Sequence, residues 1–360
     1  MKIFKHLQRA WNLPWICFLM GGYGFYLRVI QRAHRGLVGD ELVQYDALAS
    51  QDSFAFWRRV AAYGDHTSFP GEFLLNYPFV KMFGMNKWLV SIPHITLNIV
   101  GFFLFYKLCR RFLQTKTAVI IAFVIYSFNF NLVYYAFEFR PYAVLHVLAM
   151  ASLYCFCLLA ERYNKISTIQ KVWIAILLIL IFMYHAYGLI IALLPLFYVL
   201  VGAWQKKTLF SFQEKWYLGV VVGIGIVLWG WYSSYSFFGL KPNDAQALTQ
   251  TFEYIADPAK DIVGFLRGVI GNLLGGKIFY ILLLGVVAAF VMPLSAKDFM
   301  ALACFFIFLV FLPIALILTM DIKNQYWFIQ RQFIWVVPFW ALFIGQCWDQ
   351  VLLRRQRQST

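Results

Sequence analysis

Residues 141–160 read PYAVLHVLAMASLYCFCLLA. The run holds no Asp, Glu, Lys or Arg, and it is bounded by Glu138 and Arg140 on one side and Glu161 and Arg162 on the other. A helix needs about 20 mostly apolar residues to cross the hydrocarbon of a bilayer, and this stretch has that length. Its leading proline suits the first turn of a helix, where a missing N–H costs nothing. Comparable runs recur outward in both directions, at about 12–31, 87–107, 117–136, 171–185, 187–204, 216–236, 277–294, 299–320 and 334–350. Asn129 and Asn131 imply that the third of these ends early or enters a polar cavity. The expected fold is an all-α integral membrane protein: a polytopic bundle of about ten transmembrane helices, with a long first outer loop containing interfacial helices. It is expected to form a single domain over residues 1–360, without a separate soluble domain.

Composition agrees with lipid as the solvent. The 360 residues are 62% hydrophobic and 13% charged, whereas soluble domains run near half apolar and about a quarter charged. So few charges do not cover a globular surface of this size. A net charge of +15 raises nucleic acid as a partner, but the distribution of charge excludes it. With the N-terminus inside, the inner segments carry seventeen Lys and Arg and four acids: Glu161, Glu214, Asp298 and Asp349. The outer segments carry the other fourteen bases and twelve acids. The short inner loops at 107–116, 162–171 and 206–215 decide the orientation by the positive-inside rule.

Lys2, Lys5 and Arg9 precede the apolar run at 13–30, which is too long for a secretory leader and reads as an uncleaved first helix. The six cysteines fall in helices or at their inner ends, so no outer disulfide is expected. Cys155 and Cys157 are spaced too closely for a usual zinc pair and read as packing residues.

The unusual residues lie in the outer segments. Two of these are long, at about 32–86 and 237–276, and long loops are usually functional. The first opens with Asp40-Glu41, either a general base or metal site or a solvated acidic pair. The stretch 52–60, with Trp57, Arg58 and Arg59, has the pattern of a helix lying on the bilayer surface. His66 follows Asp65 ahead of a turn at Pro70-Gly71. The strongest local signal is Glu138-Phe139-Arg140-Pro141-Tyr142. A residue before proline is pushed out of the helical region. Arg140 is therefore expected at a helix entrance, where a guanidinium and a helix dipole together favour a phosphate. A structural Arg140–Glu138 pair, or an anchor to lipid headgroups, is the alternative. Tyr184-His185-Ala186-Tyr187 marks another outer turn, and Arg331 stands just before the last helix.

This ordered set resembles the GT-C glycosyltransferases that use a polyprenyl-phosphate-linked sugar, the group of protein O-mannosyltransferases and lipid A aminoarabinose transferases. Asp40-Glu41 is similar to the acidic pair of their first outer loop. Residues 65–75 are similar to their H-P-P-x-Y-x-L-L segment, with Thr67-Ser68-Phe69 interrupting the His-Pro adjacency. Residues 138–143 match E-x-R-P-Y-A closely, Tyr184-His185-Ala186-Tyr187-Gly188 is similar to T-H-Y-x-G, and Gln330-Arg331-Gln332 to R-Y. The resemblance runs in order over roughly residues 36–345.

It implies a sugar transfer with inversion at the outer face of a membrane, expected to be a bacterial plasma membrane, with both termini cytoplasmic. The resemblance assigns catalysis to Asp40 or Glu41, with a carboxylate as base. Arg140, Arg331, Arg58 and Arg59 are the candidates for the donor phosphate, and His66, Glu138, Tyr142 and His185 for substrate. The implied partners are a polyprenyl-phosphate-linked sugar donor, a lipid, glycan or protein acceptor, and membrane lipids. The resemblance implies no particular cofactor and leaves metal dependence open, since Asp40, Glu41 and His66 are compatible with a divalent cation. Two competing readings are a glycan polymerase or ligase using pyrophosphate-linked oligosaccharides, and a lipid or sugar flippase. The early acidic pair disfavours the first. Charges at the outer ends rather than the midplane disfavour the second.

Overall fold

A computed structural model describes residues 13–37, 39–49, 70–205, 212–235, 281–291, 294–323 and 330–358, with single residues at 52, 268, 271 and 273. Among them the chain is all helix. Helix α1 spans Leu13–His34, α2 Asp40–Ala49, α3 Pro70–Phe83, α4 Ile92–Phe112, α5 Lys116–Phe128, α6 Phe130–Tyr135 and α7 Tyr142–Arg162. Then follow α8 Thr168–Tyr184, α9 Gly188–Gln205, α10 Phe212–Tyr235, α11 Leu283–Val291, α12 Ala296–Phe306, α13 Leu312–Lys323 and α14 Val337–Gln358.

The described residues of each of the ten apolar runs are mostly helical. Among the described residues seven segments are long and apolar enough to cross a membrane, and α5 and α8 are shorter apolar helices. α7 and α14 are the most deeply buried spans, while α1 and α10 are peripheral. The sequence of α7 permits its central position, since a helix apolar on all sides can be covered by neighbouring helices as well as by lipid. Between α12 and α13 a π-helical turn, Ile307–Phe311, precedes Pro313. Proline cannot donate the bond its place in an α-helix requires, and a widened turn is one way to accommodate it.

The interruption expected near Asn129 is present: α5 stops there and α6 begins one residue later. Asn129 caps the new start, its side-chain oxygen accepting from the Leu132 N–H at 3.1 Å while its amide donates to the Leu273 carbonyl at 2.8 Å. A helix break inside a membrane leaves carbonyls without partners, which is costly in hydrocarbon. Arg28 of α1 answers that need. Its guanidinium donates to the Tyr126 and Leu132 carbonyls and lies over the Phe102 ring, 4.4 Å from the centroid. α1 approaches closely here because a Cβ on Gly24 would stand 2.7 Å from the Ser127 carbonyl oxygen. Small residues that let helices touch are a usual means of association where lipid removes the hydrophobic drive.

The two ends of the bundle differ. At one end Asp349 of α14 accepts from the backbone N–H groups of Gln114 and Thr115, at 2.6 and 2.8 Å, ahead of α5. At the other end lie α2, the start of α7 and the turn between α8 and α9, and every described candidate residue belongs to it. An apolar cleft of about 550 Å³ runs between α1 and α4, past Trp15, Phe18, Phe25 and Phe103.

Candidate active site

The site is assembled around residues 136–141, which connect α6 to α7. Two elements hold this connection. From α4, the Asn98 amide donates to the Ala136 carbonyl at 2.7 Å, and Ser91 donates its hydroxyl to the Phe137 carbonyl at 3.2 Å. From α2, Glu41 accepts from the Phe139 N–H at 2.6 Å across 98 residues of sequence. Pro141 has helical geometry, φ −55° and ψ −34°, and the Arg140 carbonyl accepts from the Ala143 N–H as α7 begins.

α2 starts where Gly39, at φ +51°, turns the chain through the left-handed region. That conformation is inexpensive only for glycine. Asp40 is therefore the first residue of α2, and Glu41 follows on the side facing the bundle. Glu41 is completely buried and bound to Arg32 at 2.8 Å and Arg35 at 3.5 Å. It is not the solvated acid of the simpler reading. With two guanidiniums on the carboxylate, Glu41 is badly placed to ligate a cation. Among the described residues no three His, Cys, Asp or Glu side chains converge as a metal site.

Glu138 is also buried and pairs with Arg35 at 3.0 Å, not with Arg140. Burial disfavours the Arg35 cation, but the Glu138 and Glu41 carboxylates outweigh it and hold the group above its ordinary range. Arg140 instead donates to the Gln44 side-chain oxygen at 3.4 Å. The Gln44 amide donates in turn to the buried carboxylate of Glu72, on α3. Glu138 is thus joined to Arg35, and Arg140 to Gln44 and through it to Glu72, whereas the Arg140–Glu138 pair is the alternative reading of the sequence.

His185 closes the site from the turn between α8 and α9. Its ring lies 5.4 Å from the Tyr142 ring and 4.7 Å from the Tyr187 ring. Nδ1 accepts from the Tyr187 N–H at 3.1 Å. Burial, assisted by the charge of Arg140, lowers its pKa to about 3, so at neutral pH it is an uncharged imidazole. The turn is tight: a Cβ on Gly188 would stand 2.3 Å from the Ile181 carbonyl oxygen. Trp229 of α10 donates to the Ala186 carbonyl and fixes it further.

The structure therefore gathers Glu41, Glu138, Arg140, Tyr142 and His185 at one end of the bundle. Arg331 belongs to a 3-10 turn, Gln330–Val336, that packs along α7. Arg58, Arg59 and His66, with the amphipathic stretch around Trp57, lie outside the described residues. Sequence reasoning missed Arg32, Arg35, Gln44, Glu72, Ser91 and Asn98. One signal was available: Arg28, Arg32 and Arg35 recur at helical spacing toward the C-terminal end of an apolar run, and ionisable residues there call for partners.

The family model for dolichyl-phosphate-mannose-protein mannosyltransferases matches residues 68–231. No curated protein and no solved structure matches the chain. The matched stretch contains α3 to α9, and with them Glu138, Arg140, Tyr142 and His185. Joined to the all-helical polytopic fold, the match supports a membrane glycosyltransferase of the GT-C class.

Proposed function

We propose that the protein transfers a sugar from a polyprenyl-phosphate donor to an acceptor at the outer face of the membrane, with inversion at the anomeric carbon. It works as one membrane domain, with both termini cytoplasmic. Asp40 takes the proton of the acceptor hydroxyl or amine, and the acceptor atom attacks the anomeric carbon. The bond from that carbon to the phosphate oxygen breaks, and polyprenyl phosphate leaves with the electron pair.

The observation that carries this reading is the attachment of the first loop to the E-F-R-P-Y segment. Glu41 accepts from the Phe139 N–H, and Gln44 accepts from Arg140. One turn of α2 is thereby registered against the guanidinium proposed for the phosphate. A base and a phosphate-binding cation on opposite sides of the anomeric carbon are what inversion requires. A phosphate in a low-dielectric site needs fixed positive charge, and fixed donors cost no reorganisation during reaction.

In this scheme Glu41 is a positioning residue, because its carboxylate is already committed to Arg32 and Arg35. Arg331, Arg58 and Arg59 are further candidates for the phosphate, and His66 for substrate. The acceptor is a protein, lipid or glycan.

The test is transfer by the purified protein from synthetic polyprenyl-phosphate sugars, with product identified by mass spectrometry. The reading expects a glycosylated acceptor and free polyprenyl phosphate. Movement of the intact lipid across vesicles without cleavage would replace it with the flippase reading, and product from pyrophosphate-linked oligosaccharide alone with the polymerase reading.

A further inference from the structure

We infer that Glu72, Asn76 and Tyr184 line a recess that recognises the hydroxyl groups of the donor sugar, beside the phosphate held by Arg140. The inference rests on the function proposed above and gives a role to residues that the mechanism left without one. Glu72 precedes Phe73-Leu74-Leu75 in the segment similar to H-P-P-x-Y-x-L-L, and Asn76 lies one helical turn further along α3. Residues four apart share a helix face, and both are fully buried. α3 meets the end of α8 closely, since a Cβ on Gly71 would stand 2.9 Å from the Tyr184 Cα. Tyr184 is buried too and lies within electrostatic reach of Glu72.

The polar atoms here are poorly used by the protein. Among the described residues, neither the oxygen nor the nitrogen of the Asn76 amide has a hydrogen-bond partner, and nor does the Tyr184 hydroxyl. A buried polar group without a partner is destabilising, and native proteins retain few of them. An amide, a phenol and a carboxylate together offer both donors and acceptors, the set that hydroxyl groups match. The Arg140–Gln44–Glu72 connection places Glu72 one side chain away from the guanidinium. A sugar joined through its anomeric oxygen to a phosphate on Arg140 lies within that reach, which favours the donor sugar over the acceptor.

The experiment compares Asn76→Leu, Glu72→Gln and Tyr184→Phe with the wild type, reconstituted in nanodiscs. Each is assayed with polyprenyl-phosphate monosaccharides that differ in one hydroxyl, including deoxy analogues, and each is followed by thermal melting. Asn76→Leu is expected to raise KM for the preferred sugar about 10-fold, to lose discrimination against one deoxy analogue, and to keep or raise the melting temperature. Tyr184→Phe is expected to behave similarly with a smaller effect, about 3- to 10-fold. If all donors weaken alike while the melting temperature falls, the residues serve packing and the inference is overturned. A change that follows the acceptor instead of the donor overturns it as well. Unchanged selectivity in all three variants defeats this inference alone. A wild type that transfers from no lipid-phosphate sugar defeats it together with the proposed function.

Discussion

The two ends of the bundle use the same kinds of charged residue differently. At the end carrying Arg110, Arg111, Glu161, Arg162 and Asp349, charges sit at the surface or satisfy a helix terminus. Glu161, paired with Arg111, is half exposed, and Asp349 meets the backbone N–H groups ahead of α5. At the Arg140 end, Arg32, Glu41, Glu72 and Glu138 are almost inaccessible. Taking ions out of water is expensive, and a well-packed apolar replacement is often no less stable. The first end is built from inexpensive interactions, whereas the second retains costly ones, which points to chemistry rather than stability.

The sharpest break in this comparison is Asp40→Asn. If Asp40 is the base, transfer falls below detection while expression and melting temperature stay near wild type. Turnover at the normal rate, measured with a polyprenyl-phosphate sugar, would remove Asp40 from the mechanism and leave α2 with a structural role only.

Next comes Glu41→Gln, which keeps shape and removes charge. It leaves the buried Arg32 and the half-buried Arg35 with one carboxylate fewer, and breaking a buried pair costs about 3–5 kcal/mol. The variant should melt well below the wild type, or fail to accumulate. A melting curve that overlays the wild type would mean that Glu138 and the backbone carbonyls suffice for both guanidiniums.

Arg140→Lys is expected to cost somewhat less, and in activity rather than in stability. Lysine keeps the charge but not the planar fork that grips phosphate through two parallel bonds. Loss of one charge-assisted hydrogen bond, about 1.5–3 kcal/mol, corresponds to roughly 10- to 150-fold in catalytic efficiency. Near-wild-type kcat/KM in the Lys variant would make Arg140 an anchor and move the phosphate to another cation.

The fold was legible because hydropathy is a one-dimensional signal: the described residues of the apolar runs are mostly helical, and Asn129 marked the break after α5 through its poor fit to hydrocarbon. The site was legible only in part. Arg140 and Glu138 stand out because they interrupt apolar sequence, but their partners do not follow from adjacency. Arg35 reaches Glu138 from 103 residues away, and Gln44 reaches Arg140 from 96. Such pairings depend on which helices pack together, and periodicity says nothing of that. Glu72 and Asn76 were hidden for a further reason: in sequence they look like polar residues at the edge of a loop, and only burial makes them unusual.

The smallest effect tests the inexpensive end. Asp349 comes from the last helix, yet its carboxylate satisfies the N–H groups of Gln114 and Thr115, 235 and 234 residues earlier. It binds where the positive end of the α5 dipole favours an anion. Asp349→Ala removes both contacts and should lower stability by about 0.5–2 kcal/mol, the usual range for loss of a helix-capping side chain. Sugar transfer should remain within about twofold of wild type at temperatures below the transition, since a loss of about 1 kcal/mol leaves a folded protein mostly folded. Thermal melting and an activity assay on one preparation separate the two quantities. If Asp349→Ala lost transfer as severely as Arg140→Lys while still folded, the ends would be coupled through α5 and α14. The division between a structural end and a chemical end would then fail.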